Sequence, residues 1–485
     1  MTALLLLAAV FTRPMERVST MDPAMAQSVY DSRAVQLVYE TPLTVDYEAR
    51  PYSLAPGYCE LPEVSGDALR YTFKTRSGGA ADMVRSLERL RDPQTVSPNR
   101  WIVKDIDTIT AVGEDKVEIK LKRRVHYFPW LMAMAPSAVV LADGDGTGAY
   151  RLESWRRNHA MTFTRRVPDA GGFDTIRYLV VDDMSTQWLM FLKGEIDLLG
   201  EISRDNWDSV VGAGGKLDPS LVKAEVKMHS MPTLEVMYLG FNMRDPVVGG
   251  NRKLRQALNA AFDFPEWAKF YNNRIVRCDG PVPHGVDGRL ESAFSYAYDL
   301  EKAGRLIAEA GYPGGIDPKT SRRLTLTLSI GRASQESREA GELTAAFFAK
   351  IGVKLELQFM TWDAFLRAVV EGRTQLYRMG WVGDYPDAQN FLQLFHSRNL
   401  SPGPNRSAYV NAEFDREYDA ALAANSALER NHRWLRCQEI VREDCPWVFT
   451  HFNMSHSLVA PRVGNYIPSD FPYGQERFYR ARENK

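Results

Sequence analysis

Asp384 sits in the run Gly380-Trp381-Val382-Gly383-Asp384-Tyr385-Pro386-Asp387, a carboxylate set between two large amphipathic rings. A carboxylate so placed suits a ligand ammonium group, a charge-assisted contact that contributes about 1.5–3 kcal/mol. Arg332 supplies the opposite charge, and a guanidinium matches a carboxylate in bidentate fashion. If both groups face one crevice, with Trp381 and Tyr385 as its walls, a zwitterion fits between them. Asp384 and Asp387 also admit a reading as the paired carboxylates of a hydrolase. Against it, Pro386 lies between them, and no second acid or base and no nucleophile with a partner His is recognisable. The plain structural alternative is that Asp384 caps a turn and Arg332 is a solvated loop residue.

The elements around these residues decide whether they can meet. Leu324, Leu326, Leu328 and Ile330 alternate with polar residues, the period of a strand. Ala340, Leu343, Phe347 and Ile351 recur at helical spacing, and Gly352 stands where a C-terminal cap belongs. Val353, Leu355, Leu357 and Phe359 predict a second strand. A short helix capped by Asp363 and ended by Gly372 follows, then a strand over Leu376-Tyr377-Arg378-Met379. Strand, helix, strand, helix, strand argues for a doubly wound, largely parallel sheet, whose ligands bind outside the carboxyl ends of its strands. Asp384 and Arg332 both follow such ends. Two further helices carry aliphatic stripes, one through Leu254, Ala257, Leu258, Ala261 and Phe262, the other from an Asp299 cap to Gly311 and Pro313. Such stripes are core, and no ligand role attaches to them.

The chain has 485 residues, 45% hydrophobic and 25% charged, enough for two or three domains. Its net charge of -1, from 60 basic and 61 acidic residues, gives no reason to expect a nucleic-acid partner. Residues 4–11 form an apolar run of the length of a signal-peptide core, with no Lys or Arg before it and no clear cleavage site after it; a buried strand is the alternative. Cys59, Cys278, Cys437 and Cys445 permit two disulfides or none. Cys437 and Cys445, if both helical, stand about 12 Å apart, too far for a bond. The eight His residues are dispersed, and His451 and His456 read as strand residues rather than metal ligands. No cofactor motif is present, and no phosphate-cradling Gly-x-x-x-x-Gly-Lys-Ser/Thr loop.

The 380–392 loop resembles that of extracytoplasmic solute-binding proteins that feed ABC importers, in particular the oligopeptide/dipeptide-binding family, solute-binding protein family 5. Other segments resemble its landmarks in the same order. Val38-Tyr39-Glu40 is similar to an N-terminal strand segment, Ser86-Leu87-Glu88-Arg89-Leu90 to a first long helix, and Gly146-Thr147-Gly148-Ala149-Tyr150 to a Gly-Thr-Gly-Pro-Tyr turn with Ala149 for the proline. Gly194-Glu195-Ile196-Asp197, then Tyr238-Leu239-Gly240-Phe241-Asn242 with Leu254-Arg255-Gln256-Ala257-Leu258, and finally residues 299–313 continue the series. Each motif alone is weak; their order over roughly nine-tenths of the chain is not. A longer insert usual in the family between Phe73-Lys74-Thr75-Arg76 and Ala81-Asp82-Met83-Val84 is missing.

The resemblance implies a two-lobed periplasmic-binding-protein fold of type II with an extra subdomain in lobe one. Residues 1–25 would be a truncated signal segment, 26–240 lobe one with a subdomain over about 45–145, 241–457 lobe two, and 458–485 the return to lobe one. It implies a monomer that is not an enzyme, lies outside the cytoplasm, captures a peptide or similar small polar solute in an interlobe cleft, and closes on it about a hinge. Delivery would be to membrane permease subunits, with separate ATPase subunits supplying energy. Oligosaccharide, opine, haem and metal-chelate ligands are the alternatives in the same fold. The expected ligand-binding residues are Asp384, Trp381, Tyr385, Gly383, Arg332, Tyr39 and Asn242.

Overall fold

The computed structural model describes residues 9–203, 206–212, 216–290, 296–401 and 403–482. The chain divides into two compact units, Met1–Met231 with Ser455–Lys485, and Pro232–Met454. It passes from the first to the second inside the strand Lys227–Phe241 and returns inside the strand Trp447–Val459, and these two are neighbours in one sheet.

The second unit holds the expected alternation. Strands Thr325–Ile330, Lys354–Phe359 and Leu376–Val382 are separated by helices Gln335–Ala349 and Trp362–Val370. Thr325–Ile330 lies between the other two and runs parallel to both, with Ile330 opposite Arg378 and Phe359. Leu324, Leu326, Leu328 and Ile330 are buried, so the period-two pattern marks the inward face. Gly352 and Gly372 take left-handed φ values of +82° and +69°, which ends each helix at a position a side chain would strain. The cap of the second helix is Thr361, not Asp363, which lies in its first turn. A single core gathers Leu254, Ala257, Leu258 and Ala261 of helix Arg252–Ala261, Phe347 and Phe348, and the sheet residues Leu326 and Leu376. Asp299 caps helix Leu300–Glu309 by accepting the Lys302 N–H, as its type and position predict.

In the first unit, Val10–Met15 pairs in parallel with Thr175–Val180, which continues antiparallel to Ala160–Arg165 and then Tyr150–Arg156. Phe11 is fully buried there beside Phe163 and Phe173. Residues 10 and 11 of the apolar N-terminal run thus belong to a core strand; positions 4–8 lie outside the described residues. A second sheet of Glu63–Val64, Arg70–Lys74, Lys116–Leu121 and Ile106–Val112 accompanies helix Ala80–Arg91. Val38-Tyr39-Glu40 is not a strand: Val38 ends helix Val29–Val38, which a Ser28/Asp31 capping box opens. The four cysteines are buried and unpaired, and Cys445 is the left-handed cap of helix Ala427–Asp444. His451 and His456 are both residues of strand Trp447–Val459. Among the described residues no helix is long and apolar enough to cross a membrane.

Candidate functional site

The strand leading to Asp384 is longer than its sequence pattern suggests. It runs on through Gly380 and Trp381 to Val382 because Lys227–Phe241 pairs antiparallel along its other edge, Val236 opposite Trp381 and Glu235 opposite Val382. Gly383 then donates its N–H to Leu234 O at 2.7 Å, and the chain turns. Asp384 is therefore presented just past the carboxyl end of a strand shared by two neighbours.

Asn390 organises this turn. It is fully buried, and its Oδ1 accepts both the Trp381 indole N–H at 2.9 Å and the Asp384 backbone N–H at 3.2 Å. Its Nδ2 donates to Asp384 Oδ2 at 3.2 Å. The Asp384 side chain is exposed, yet enough protein surrounds it that desolvation pushes its carboxyl above the ordinary range, and the Asn390 hydrogen bond only partly offsets this. Among the described residues no basic side chain forms an ion pair with it.

The other expected residues fare differently. Trp381 is half-buried and anchored by its N–H. Tyr385 is buried at 3% exposure and donates to Gln389 Oε1 at 2.5 Å, whose Nε2 donates to Tyr418 at 2.7 Å. These bonds make it a strut of the turn. Gly383 is required for packing: a Cβ there would stand 2.7 Å from the Phe391 ring. Asn242 is spent on backbone, since its Nδ2 donates to Gly372 O and Thr374 O, both at 2.9 Å, and its Oδ1 accepts Arg244 N–H at 3.0 Å. Both amide donors and one acceptor position of Asn242 are thus engaged in holding the turn.

Arg332 is exposed beyond the end of Thr325–Ile330. Arg332 thus follows the carboxyl end of one strand and Asp384 the carboxyl end of its parallel neighbour. Tyr39 belongs to the first unit, where its ring closes over Gly146, whose Cβ would lie 2.7 Å from Tyr39 Cδ1. Asp387 caps helix Ala388–Leu392 by accepting the Gln389 N–H at 2.8 Å, which gives it a structural use and weakens the reading of Asp384 and Asp387 as a catalytic pair.

Sequence reasoning missed Asn390. Its signal was present: an Asn six residues after Asp384, on the apolar side of a helix whose every residue is buried, must find polar partners locally.

Comparison with known proteins finds relatives along nearly the whole chain. The chain is 26% identical over 484 residues to Heme-binding protein A of Haemophilus influenzae, covering 90% of this chain and 85% of that one. It is 25% identical over 465 residues to Glutathione-binding protein GsiB of Escherichia coli O1:K1, covering 89% and 86%. Among solved structures, HbpA2 from Haemophilus parasuis superposes with a TM-score of 0.84 at 21% identity, over 98% of this chain and 100% of that one, so the fold is shared throughout. The profile of the bacterial extracellular solute-binding proteins, family 5 Middle, matches residues 21–402, and the chain belongs to that family.

Proposed function

We propose that this chain is the receptor of an ABC importer for a peptide or similar small polar solute bearing an ammonium group, which Asp384 receives. The carrying observation is the state of that carboxylate. It is accessible, held in place by Asn390, partly stripped of water, and without a cationic partner among the described residues. An anion so placed is stabilised by an arriving cation. A structural turn aspartate more often has its charge satisfied locally, as Asp387 does on its helix. Support comes also from the relatives, one of which is named for glutathione, a tripeptide. Release would be to permease subunits in the membrane, and the mature chain would work outside the cytoplasm as a monomer that closes on its solute.

The test is calorimetry of Asp384→Asn against wild type, using the solute that native mass spectrometry finds bound after gentle purification. Removal of the charge is expected to cost about 2–5 kcal/mol, weakening binding roughly 30- to 5,000-fold. Asp387→Asn keeps a capping side chain and should bind as wild type does. Equal affinity of Asp384→Asn and wild type would return Asp384 to the role of a turn residue.

A further inference from the structure

Two arginines of the first unit are buried beyond what ion pairing explains. Arg13 lies on strand Val10–Met15 and Arg33 on helix Val29–Val38, with 7% and 8% of their surface exposed. One carboxylate serves both. Glu476, with no exposure, accepts from Arg13 Nη1 at 3.1 Å. Arg33 donates only its Nε, to Pro472 O at 3.4 Å, and among the described residues nothing accepts from its two terminal nitrogens. Those nitrogens retain solvent contact, because both arginines line a pocket of about 720 Å³. Gly200 also lines it, and a Cβ at Gly200 would come within 3.3 Å of Arg13 Nη2.

The pocket is polarised. Its lining includes the two buried guanidiniums, of which Arg13 is paired to Glu476 from outside the lining, and the Arg33 guanidinium feels the Arg13 charge. Its rim carries the exposed Glu16 and Glu201, with Arg17 already paired to Asp182 at 2.9 Å. A buried guanidinium with unused donors is costly unless an anion satisfies it, and its fork matches a carboxylate in two hydrogen bonds.

We propose that Arg33, supported by Arg13, is the receptor in this pocket for a carboxylate of the solute. The inference rests on the reading of the chain as a receptor for peptide-like solutes, and it places a carboxylate receptor within the first unit. The acidic rim favours solutes whose carboxylate enters alone and whose positive charge stays outside, and disfavours polyanions.

Two matched pairs of probes test it by calorimetry: alanyl-phenylalanine against its C-terminal amide, and glutathione against glutathione diethyl ester. The wild-type protein should bind at least one acid and bind its blocked partner at least about 30-fold more weakly. This comparison needs no variant. Arg33→Gln should lose the same factor for the acid and nothing for the amide or ester, whereas Arg33→Lys, which keeps charge without the fork, should fall between. Circular dichroism verifies folding of both. A wild-type protein that binds neither acid, or binds acid and blocked form alike, overturns the proposal, as does an Arg33→Gln protein of unchanged affinity. Asp384→Asn run in parallel separates the two readings, because its loss should follow the probe's amine and not its carboxylate.

Discussion

Trp381 and Asp384 share one acceptor: the indole N–H of the first and the backbone N–H of the second both end on Asn390 Oδ1, at 2.9 and 3.2 Å. The ring and the carboxylate are thereby fixed relative to each other by a residue that is itself wholly buried. Positioning by a supporting residue spares the ligand the entropic cost of ordering the loop.

Asn390→Leu should therefore act on both stability and binding. Leaving the Trp381 N–H and the Asp384 N–H without their acceptor costs about 1–3 kcal/mol each at most, and urea unfolding should show a loss of that order. Solute affinity should fall although Asn390 is not expected to touch the solute. An unchanged affinity in a variant with the expected loss of stability would mean that the turn holds its shape by other means.

Gly383→Ala places a methyl 2.7 Å from Phe391 Cζ and 3.3 Å from Leu234 Cβ. Phe391 is fully buried and has nowhere to retreat, so the turn must shift. Overpacking of this kind typically costs about 1–3 kcal/mol, readable as a lower denaturation midpoint, and it should weaken binding more than the conservative Asp387→Asn does.

His451 gives a pH signature. Burial first, and then the nearby Arg378 charge, push its imidazole from 6.5 down to about 3, while its Nδ1 accepts the Trp267 indole N–H at 3.1 Å. The folded state keeps it neutral, whereas the unfolded chain takes up a proton below about 6.5. Its stabilising contribution is thus complete above that pH and is lost as pH falls from there toward 3, by up to about 1.4 kcal/mol per pH unit. His451→Gln retains an acceptor that does not titrate. The stability of wild type relative to this variant should decline between pH 7 and 4.5, and a constant difference would show that His451 binds its proton as readily in the fold as in the unfolded chain.

Glu476→Gln should be among the more damaging single changes in the first unit. It leaves Arg13 and Arg33 buried with no compensating charge, a situation that costs about 3–5 kcal/mol. If the pocket takes a carboxylate, saturating acid probe should raise the melting temperature of this variant more than that of wild type.

How far the sequence reached can be seen residue by residue. Period-two runs such as Leu324 to Ile330 and the glycines at 352 and 372 revealed the three parallel strands, though not the antiparallel strands that make the sheet mixed, because side-chain alternation and left-handed caps are local properties. Asp384 was legible for the same reason, as the loop residue after an apolar strand. The true end of that strand was not, since Trp381 and Val382 are held by pairing with Val236 and Glu235, nearly 150 residues away in sequence, and no local pattern encodes such a partner. The local partners of Asn242 and Tyr385 were not legible, because residue type shows what a side chain can donate and not whether the backbone or a neighbour has already claimed it. Arg13 and Arg33 were invisible for a related reason. Arginine on a strand or helix is ordinarily a surface residue, and only the tertiary fold closes Glu476 and the strand Thr175–Val180 around them.

The first unit is assembled from both ends of the chain, with the second inserted between them. Glu476 reaches back to Arg13, Arg462 forms an ion pair with the buried Asp197, and Tyr479 joins the core around Phe11. During synthesis the second unit is complete in sequence before any of these late partners leaves the ribosome, and so it can fold first. Until then the earlier-made half of the first unit waits with two unmatched arginines and an open hydrophobic face. The order of folding can thus depart from the order of synthesis, and the segment holding Arg462, Glu476 and Tyr479 is the one that lets Phe11 and Arg13 settle.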